Sequence, residues 1–556
     1  MNASRSAINV NRALLLCLAI AATFVISPSF FLGNASGHDF QFHLESWMEV
    51  AQQWHQGILY PRWAEWPNFG FGEPRFIFYP PASWILGAAL GLILPWRMVP
   101  DAFICLAIFL AGFTMHRLAR EWLAPRDAVA AAVLFAVNPY HLVIIFYRSD
   151  FAELLASALL PLLIWRTIFL AREGWRRVPG FACVFALIWL SNAPAAVIAT
   201  YFVAAMILAY CVLERSFRAI LPAAVAGAMG FALAAFYILP AAYEQRWVNI
   251  SDALDFSLQP WHNYLFTKAG DPEFILFNFK ISAVALLVIA VFAISAVFAA
   301  RQRLRGRTMF WILFTLGALP VILMFPIATF VWAHIPEMKF VQFPWRTLSP
   351  LALAAAFFFA AAIAPLHRKW PAWLAAALSL AALSAWMSTN NWWDTQGPQA
   401  VTSAISSGAG YEGADEYVAA GCDRYDLPDN PPRAAALNPD TNEPMKSPNL
   451  RLHIEGWQPE QRFISVDSPQ PIDLAVKLFP YPAWKATRNG APLEIATDPC
   501  VAPLQLTLPA GHSDVVLRFT RTRDRTLGNA ISLAAALGLL LLHLSTSLRR
   551  GGRIAR

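Results

Sequence analysis

The chain has 556 residues, of which 58% are hydrophobic and 14% are charged. This composition exceeds what the core of a soluble protein needs, so it excludes a soluble globular class and indicates many membrane spans. The net charge of +7 does not indicate nucleic-acid binding, because the Arg and Lys residues cluster at the ends of apolar runs, as cytoplasmic loops of membrane proteins require.

Apolar runs of membrane-spanning length recur along most of the chain. The first, Ala13 to Leu32, is long for the core of a cleaved signal peptide, so we interpret it as an anchor. The shorter run Ala82 to Leu94 has the length of a re-entrant or surface helix. Excluding it places nearly every basic cluster in the cytoplasm, with both chain ends there. The break at Ser191 to Pro194 separates two spans or kinks one buried helix. With the first run, we expect about twelve spans, the others near 99–117, 128–146, 154–171, 179–192, 195–213, 220–240, 280–300, 309–330, 347–365, 371–388 and 527–547.

The first outer loop, residues 33–98, begins with a short polar stretch that contains His38 and Asp39. Asp39 precedes an amphipathic pattern, which predicts a helix from Asp39 to about His55 lying on the membrane surface. His43 follows Asp39 at i+4 and shares one side of that helix. An acidic residue at this place is also typical of a simple helix N-cap, and both interpretations stay open. The predicted apolar stripe consists of Phe40, Leu44, Trp47, Ala51 and Trp54, with Trp47 and Trp54 at the headgroup boundary.

The rest of this loop is rich in Gly, Pro and aromatic residues. Arg62 lies in the stretch Gly57 to Trp63, and Tyr79 lies in Phe78-Tyr79-Pro80-Pro81. The pattern predicts either a fixed, aromatic-lined loop packed on the membrane or an ordinary aromatic interface belt.

Two further charged stretches lie at predicted outer ends of spans. Arg148, Asp150 and Glu153 lie between two spans, where charges are unfavourable unless they pair or serve a site. Arg148 is a candidate phosphate ligand and the carboxylates could orient a substrate or divalent ion, while a local Arg148–Asp150 ion pair is the structural alternative. Gln342 and Arg346 lie in the second stretch, which suits a headgroup contact or a snorkelling anchor.

Residues 389–526 form a predicted outer domain between two spans, and 527–556 form a C-terminal anchor with a basic cytoplasmic tail. The start of this domain is predicted to be irregular, and short alternating runs from Leu450 onward predict a small β-sandwich. Asn489-Gly490 is a strong hairpin signal. Cys422 and Cys500 share this outer domain, so a disulfide between them is predicted.

Together, these residues are suited to a reaction at a lipid-linked phosphate. A carboxylate base, arginines on a phosphate and an aromatic-lined cleft are what glycosyl transfer from a lipid-linked donor needs. Two alternatives stay open. A lipid or glycolipid transporter would place charges along a membrane pathway, and a non-catalytic envelope assembly protein would use its β-domain to bind a glycan.

In this arrangement the chain resembles the GT-C superfamily of polytopic glycosyltransferases. It is most similar to bacterial membrane proteins described as 6-pyruvoyl-tetrahydropterin synthase-related. The resemblance covers nearly the whole chain, with residues 1–388 as the transmembrane domain. It is carried by His38-Asp39 with His43, Gly57 to Trp63, Phe78 to Pro81, Arg148 to Glu153, Gln342 to Arg346, Gly413 to Tyr417, Tyr481 to Trp484 and Asn489-Gly490.

The resemblance implies that Asp39 is the catalytic residue of an inverting glycosyltransferase. It also implies a polyprenyl-phosphate-linked sugar donor, a glycan or lipid acceptor, and an active site on the periplasmic face of the bacterial inner membrane. Many GT-C enzymes have paired acidic residues in the first loop, whereas Phe40 follows Asp39 here. Asp150 or Glu153 would have to supply a second acid, and these three carboxylates are the candidate ligands of a divalent cation such as Mg²⁺ or Mn²⁺.

Overall fold

The computed structural model describes residues 2–301, 307–441, 443–445, 447–495 and 503–554. The α-helices of this part are α1 (Asn2–Ile26), α2 (Ser29–Leu32), α3 (Phe40–His55), α4 (Pro67–Gly70), α5 (Arg75–Phe78), α6 (Pro81–Gly91), α7 (Val99–Ala119), α8 (Pro125–Ala136), α9 (Pro139–Leu142), α10 (Phe151–Glu173), α11 (Val178–Trp189), α12 (Ala193–Leu213), α13 (Ile220–Leu233), α14 (Ala235–Glu244), α15 (Pro272–Ala300), α16 (Arg307–Leu323), α17 (Thr329–His334), α18 (Leu348–Ile363), α19 (Trp370–Thr389), α20 (Gly397–Ser407) and α21 (Arg523–Ile554). The strands are β1 (Asn34–Ala35), β2 (Trp393–Asp394), β3 (Ala434–Leu437), β4 (Arg451–Gln458), β5 (Gln461–Ser468), β6 (Ile472–Val476), β7 (Trp484–Arg488), β8 (Ala491–Leu493), β9 (Leu504–Leu508) and β10 (Gly511–Phe519).

The protein is a multi-pass integral membrane protein, as predicted. Nine helical segments of the described residues are long and apolar enough to cross a membrane, and two bent helix pairs raise the number to eleven. The first pair, built on α13 and α14, is bent by 74°, and the second, built on α16 and α17, is bent by 97°. The sequence predicted one span at each place, 220–240 and 309–330, without a bend, because hydropathy does not record a change in helix direction.

The twelfth predicted span falls in the segment Phe151–Trp189, which counts as one candidate span instead of two. Within it the chain turns at Gly174, whose φ is +61°, and α11 packs back against α10. α11 has 12 residues, which is about 18 Å of helix, and the Leu190 carbonyl just past its end accepts from the Ala82 amide of the first outer loop at 2.7 Å. The chain therefore returns to the side of the first loop within this segment. α6 is too short to span, as predicted for residues 82–94.

The structure corrects the predicted surface position of α3. The helix begins directly after Asp39, as expected, and its predicted apolar stripe is largely buried. Its polar face is buried too, because it forms hydrogen bonds with Trp63, Arg75 and Tyr411. Trp47, expected among lipid headgroups, is fully buried and stacks on Phe103 with ring centroids 5.3 Å apart. α3 therefore lies inside the protein.

The C-terminal β region consists of two antiparallel sheets over one shared core. Their strand orders are β4-β5-β10-β7-β8 and β3-β6-β9. The predicted hairpin is confirmed, since Asn489 and Gly490 have φ of 49° and 82° and join β7 to β8. Residues 397–407, predicted to be irregular, instead form α20. Pro398 lies in its first turn and Gly408 adopts the left-handed conformation after its end, so these residues bound a helix.

Buried polar contacts join the β region to the membrane helices. The guanidinium of Arg525, in α21, donates to both carboxylate oxygens of Glu244 in α14 at 2.6 and 2.7 Å. The hydroxyl of Tyr481, in the β region, donates to the same carboxylate at 2.6 Å. Trp63 and Phe71 of the first loop complete the β-region core. The first loop is thus held between the membrane helices and the β sheets.

Candidate active site

Asp39 is positioned by a close backbone crossing between the first loop and the end of a membrane segment. The Gly37 amide donates to Ser149 Oγ at 2.9 Å, and the Asp39 amide donates to the Arg148 carbonyl at 2.8 Å. A Cβ at Gly37 would lie 2.6 Å from backbone atoms of Tyr147 and Arg148. Only glycine permits this approach, which holds the Asp39 carboxylate beside Arg148.

The segment that carries Arg148 has unusual local geometry. Residues Val143–Arg148 form a π-helix, a rare form frequent at functional sites. Ser149 then adopts left-handed φ of 50°, and Asp150 caps α10 by accepting from the Glu153 amide at 2.9 Å. The cap projects Asp150 and Glu153 from the first turn of α10, next to the Arg148 side chain.

Arg346 comes from a third segment, the 3₁₀ turn Pro344–Thr347 that precedes α18. Its Nη1 donates to the Val341 carbonyl at 3.2 Å, which fixes the side chain against its own turn. The guanidinium of Arg148 lies 5.3 Å from the Phe343 ring centroid and 5.4 Å from that of Trp345. These rings cover one side of the guanidinium.

The three segments bring five charged side chains together in alternating order. The order is Asp39, Arg148, Asp150, Arg346 and Glu153, and we call this set the ion-pair chain. Successive closest distances between charged atoms are 2.6, 3.7, 3.6 and 3.1 Å. The predicted local Arg148–Asp150 pair is thus one contact in a longer arrangement. Alternation of charge makes burial of these groups tolerable.

Only one end of the ion-pair chain is accessible to solvent. The Asp39 side chain is 34% exposed, whereas those of Asp150 and Glu153 are 4% and 2% exposed. Asp39 does not cap α3 through its side chain, which instead accepts from Arg148 Nη2 at 2.6 Å and Nε at 3.2 Å. Among the described residues, Arg148 Nη1 has no hydrogen-bond partner. A partly exposed carboxylate and a buried, unused N–H donor therefore lie side by side.

His43 lies at the inner side of this site. Its Nε2 is 3.7 Å from Asp150 and 3.5 Å from the Tyr79 hydroxyl, and its Nδ1 is 3.4 Å from Ser83 Oγ. Burial raises the pKa of Asp150, but the neighbouring His43 imidazole and the charges of Arg148 and Arg346 outweigh it, so the pKa lies below its ordinary value. The imidazole thus supports Asp150, whereas its i+4 spacing suggested an interaction with Asp39.

Three other predicted residues lie outside the ion-pair chain. The Arg62 amide donates to Glu460 of the β region at 3.1 Å, and its guanidinium packs on the Tyr60 ring at 4.4 Å. Gln342 donates to the Ala253 carbonyl at 2.7 Å and so holds the loop after α14. His38 is exposed, and its ring lies 4.8 Å from the ring of Phe277.

The carboxylates proposed as metal ligands face arginines. Arg148 lies between Asp39 and Asp150, and Arg346 between Asp150 and Glu153. In the described part of the chain, no group of three or more His, Cys, Asp or Glu side chains is arranged to hold a metal ion. The residues present do not fit a divalent cation, because guanidinium groups occupy the positions between its candidate ligands.

Cys422 is disulfide-bonded. Cys500 lies outside the described residues, so its pairing with Cys422 stays a prediction.

Sequence reasoning missed two sets of residues. Tyr140 lies 13 positions before Glu153 and its hydroxyl donates to that carboxylate, which no local spacing indicates. The second set surrounds Arg75 and includes Glu45 and Glu49 of α3. These two acids lie at i and i+4, so the polar stripe of the helix was a usable signal.

The structure has distant similarity to solved membrane glycosyltransferases. It aligns with the arabinofuranosyltransferase AftD from Mycobacteria at 16% identity and a TM-score of 0.41, over 68% of this chain and 27% of AftD. It aligns with ArnT from Cupriavidus metallidurans, which was solved bound to undecaprenyl phosphate, at 12% identity and a TM-score of 0.41. This alignment covers 66% of this chain and 63% of ArnT. It aligns with the Archaeoglobus fulgidus oligosaccharyltransferase, solved with Zn and sulfate, at 15% identity and a TM-score of 0.40. This alignment covers 68% of this chain and 54% of the oligosaccharyltransferase. The chain thus spans less than two thirds of each of these proteins.

No curated protein matches the chain. A family match, however, covers residues 76–392, more than half of the sequence, under the description "6-pyruvoyl-tetrahydropterin synthase related domain; membrane protein". It includes Arg148, Asp150, Glu153 and Arg346 of the ion-pair chain. The chain therefore belongs to the family of 6-pyruvoyl-tetrahydropterin synthase-related membrane proteins.

Proposed function

We propose that the protein is an inverting glycosyltransferase that moves a sugar from a polyprenyl-phosphate-linked donor to a glycan or lipid acceptor. The observation that carries the proposal is the ion-pair chain. Three separate segments at the ends of membrane helices converge on it, and its one partly exposed member is the carboxylate of Asp39. Buried charges at such a position usually serve a site.

In the proposed reaction, Asp39 accepts the proton of the acceptor hydroxyl. The hydroxyl oxygen attacks the anomeric carbon of the donor sugar as the bond between that carbon and the phosphate oxygen breaks. The lipid phosphate leaves with the bonding electron pair. Attack from the face opposite the phosphate inverts the anomeric carbon.

Arg148 is suited to bind the donor phosphate. Its Nη2 and Nε hold Asp39, which leaves Nη1 as a donor for a phosphate oxygen. One planar guanidinium would then set the spacing between the base and the leaving group. The ion pair weakens Asp39 as a base, and the same positive charge stabilises the phosphate as it departs. We assign Arg346 a second, inner contribution to that charge.

We place this site at the periplasmic face of a bacterial inner membrane. The basic clusters that follow the spans would then lie in the cytoplasm, as the positive-inside rule requires. In this topology residues 1–388 form the transmembrane domain with the catalytic loop 33–98, residues 389–526 the periplasmic domain, and residues 527–556 the C-terminal anchor and tail. The charges at helix ends favour an enzyme over a transporter, which needs charges along its pathway.

The test is the Asp39→Asn variant, which keeps the side-chain shape and removes the charge. Purified protein in detergent should release sugar from a polyprenyl-phosphate donor at least about a hundredfold more slowly, the usual size of a general-base contribution. Asp271→Asn is the matched control, because Asp271 caps α15 by accepting from the Phe274 amide at 2.8 Å. Thermal unfolding checks both variants. Near-normal turnover of a folded Asp39→Asn protein would refute the proposed base and favour transport or glycan binding.

A further inference from the structure

A cavity of about 320 Å³ lies beside the ion-pair chain. It is formed where three candidate spans end or begin, at Arg148, Pro272 and Thr389. Its lining includes His38, Tyr147, Glu273, Phe277, Asn391 and Trp392. A cavity of this size accommodates one or two sugar rings.

Two polar groups of the lining have no hydrogen-bond partner among the described residues. They are the Tyr147 hydroxyl and the Asn391 side-chain amide nitrogen, both atoms buried. The whole Tyr147 residue is only 6% exposed. Buried polar groups in native proteins are nearly always paired, so such groups at a cavity wall are prepared for a ligand.

Aromatic rings make up much of the remaining wall. The His38 ring lies 4.8 Å from Phe277 and 6.4 Å from Trp392, and Phe277 lies 6.5 Å from Tyr147. A sugar ring presents an apolar face of C–H groups and a rim of hydroxyls. Aromatic rings match the face, and the hydroxyl and amide match the rim.

The charges of the cavity are mixed. Lys280 and Glu273 both line it and do not form an ion pair in the described structure. A phosphate would be repelled by Glu273, whereas a neutral sugar can donate to the carboxylate and accept from the ammonium. The cavity therefore favours a neutral polyhydroxylated ligand over an anionic headgroup.

We propose that this cavity binds the acceptor, and that the acceptor presents a neutral sugar there. The inference rests on the proposed function and adds the acceptor's chemical class. His38 lines the cavity while Asp39, the next residue, contacts Arg148. An acceptor in this cavity would thus lie next to the 37–39 turn, with its hydroxyl beside the Asp39 carboxylate that takes the proton, while Arg148 binds the donor phosphate.

The experiment measures binding of methyl hexosides and methyl pentosides to the full-length protein in lipid nanodiscs by saturation-transfer NMR. Wild-type protein should bind at least one of them. Tyr147→Phe and Asn391→Ala should each weaken that binding about three- to tenfold, the usual effect of one lost hydrogen bond. Asn249→Ala is the matched control, because Asn249 lies outside the cavity lining and its side-chain amide already donates to the Cys422 carbonyl at 2.7 Å. It should leave binding unchanged.

A second measurement separates this inference from the proposed function. Sugar release from the lipid-linked donor to water needs no acceptor, so Tyr147→Phe and Asn391→Ala should retain it while losing transfer to the glycoside. Loss of release only in Asp39→Asn supports the donor chemistry independently. The inference is overturned if no glycoside binds, if Asn249→Ala weakens binding equally, or if inorganic phosphate displaces the glycoside from this cavity.

Discussion

Two groups of buried charges contact α3, and they are built differently. The ion-pair chain lies at the start of the helix, alternates in sign and ends in the partly exposed Asp39. The second group lies along the polar face of the helix. We call it the acid cluster, and it consists of Glu45, Glu49, Glu73, Arg75 and Tyr411.

In the acid cluster, three carboxylates surround one arginine. Arg75 lies 2.6 Å from Glu73 and 3.6 Å from Glu45, while the Tyr411 hydroxyl donates to Glu49 at 2.6 Å. Burial raises the pKa of Glu45 and of Glu49 to about 7 despite these partners. Every member is closed from solvent.

Because of this difference, we expect the two groups to have different roles. A balanced set with one open end can bind a charged substrate without losing its own pairing. A closed, acid-rich set that joins α3 to Tyr411 near the β region can only hold the structure together. The ion-pair chain should therefore respond to substitution in activity and the acid cluster in stability.

The largest expected effect is on stability. Arg75→Met should lower the free energy of unfolding by about 3–5 kcal/mol near pH 7.5, because it leaves buried carboxylates without their cation. Thermal unfolding of the purified protein measures the change.

Arg177→Met is the control, since Arg177 forms an exposed pair with Glu173 at 2.8 Å. Its loss should cost at most about 1 kcal/mol. Equal, small shifts for the two variants would contradict a stabilising role for the acid cluster.

The second-largest expected effect is on the kinetics with the lipid-linked sugar donor. Arg148→Lys and Arg346→Lys keep the charge but lose the planar fork, so each should lower kcat/KM for the donor by about tenfold, or 1.4 kcal/mol. Steady-state sugar release at several donor concentrations measures it.

Arg424→Lys tests the same change elsewhere, since Arg424 pairs with Glu412 and Asp415 at 2.6 and 2.7 Å. It should leave kcat/KM unchanged. Wild-type kinetics in both active-site variants would remove these arginines from the phosphate site.

The smallest effect is a pH dependence of stability. The pKa of Glu49 is about 7 in the folded protein against an ordinary 4.5. Between those values the folded state holds a proton that the unfolded state has lost, so stability falls as the pH rises from 4.5 to 7. Glu49→Gln is neutral throughout and should flatten this fall.

Unfolding temperatures between pH 5 and 7.5 measure the slope for both proteins. Hydrogen bonds to Asp467 and Asp514 raise the pKa of His512 above its ordinary value, so both proteins should be compared in a His512→Gln background. An unchanged slope after Glu49→Gln would show that Glu49 does not hold the proton.

Local sequence patterns were enough to predict a large part of the structure of this protein. Hydropathy of long runs determined the membrane class, and the apolar period placed α3 directly after Asp39. Turn chemistry placed the hairpin at Asn489 and Gly490, whose backbone needs positive φ. All of these depend on neighbours within a few residues, which a single sequence displays.

The sequence by itself also singled out Asp39, Arg148, Asp150, Glu153 and Arg346, because charges beside apolar runs are rare and unfavourable. Only the tertiary structure determined the order in which these residues pair within the ion-pair chain. Arg148 meets Asp39 across 109 positions of sequence, and α3 is buried because Arg75 and Tyr411 pair with its acids. Such pairing depends on the path of the chain in space, and hydrophobic period and composition carry no information about that path.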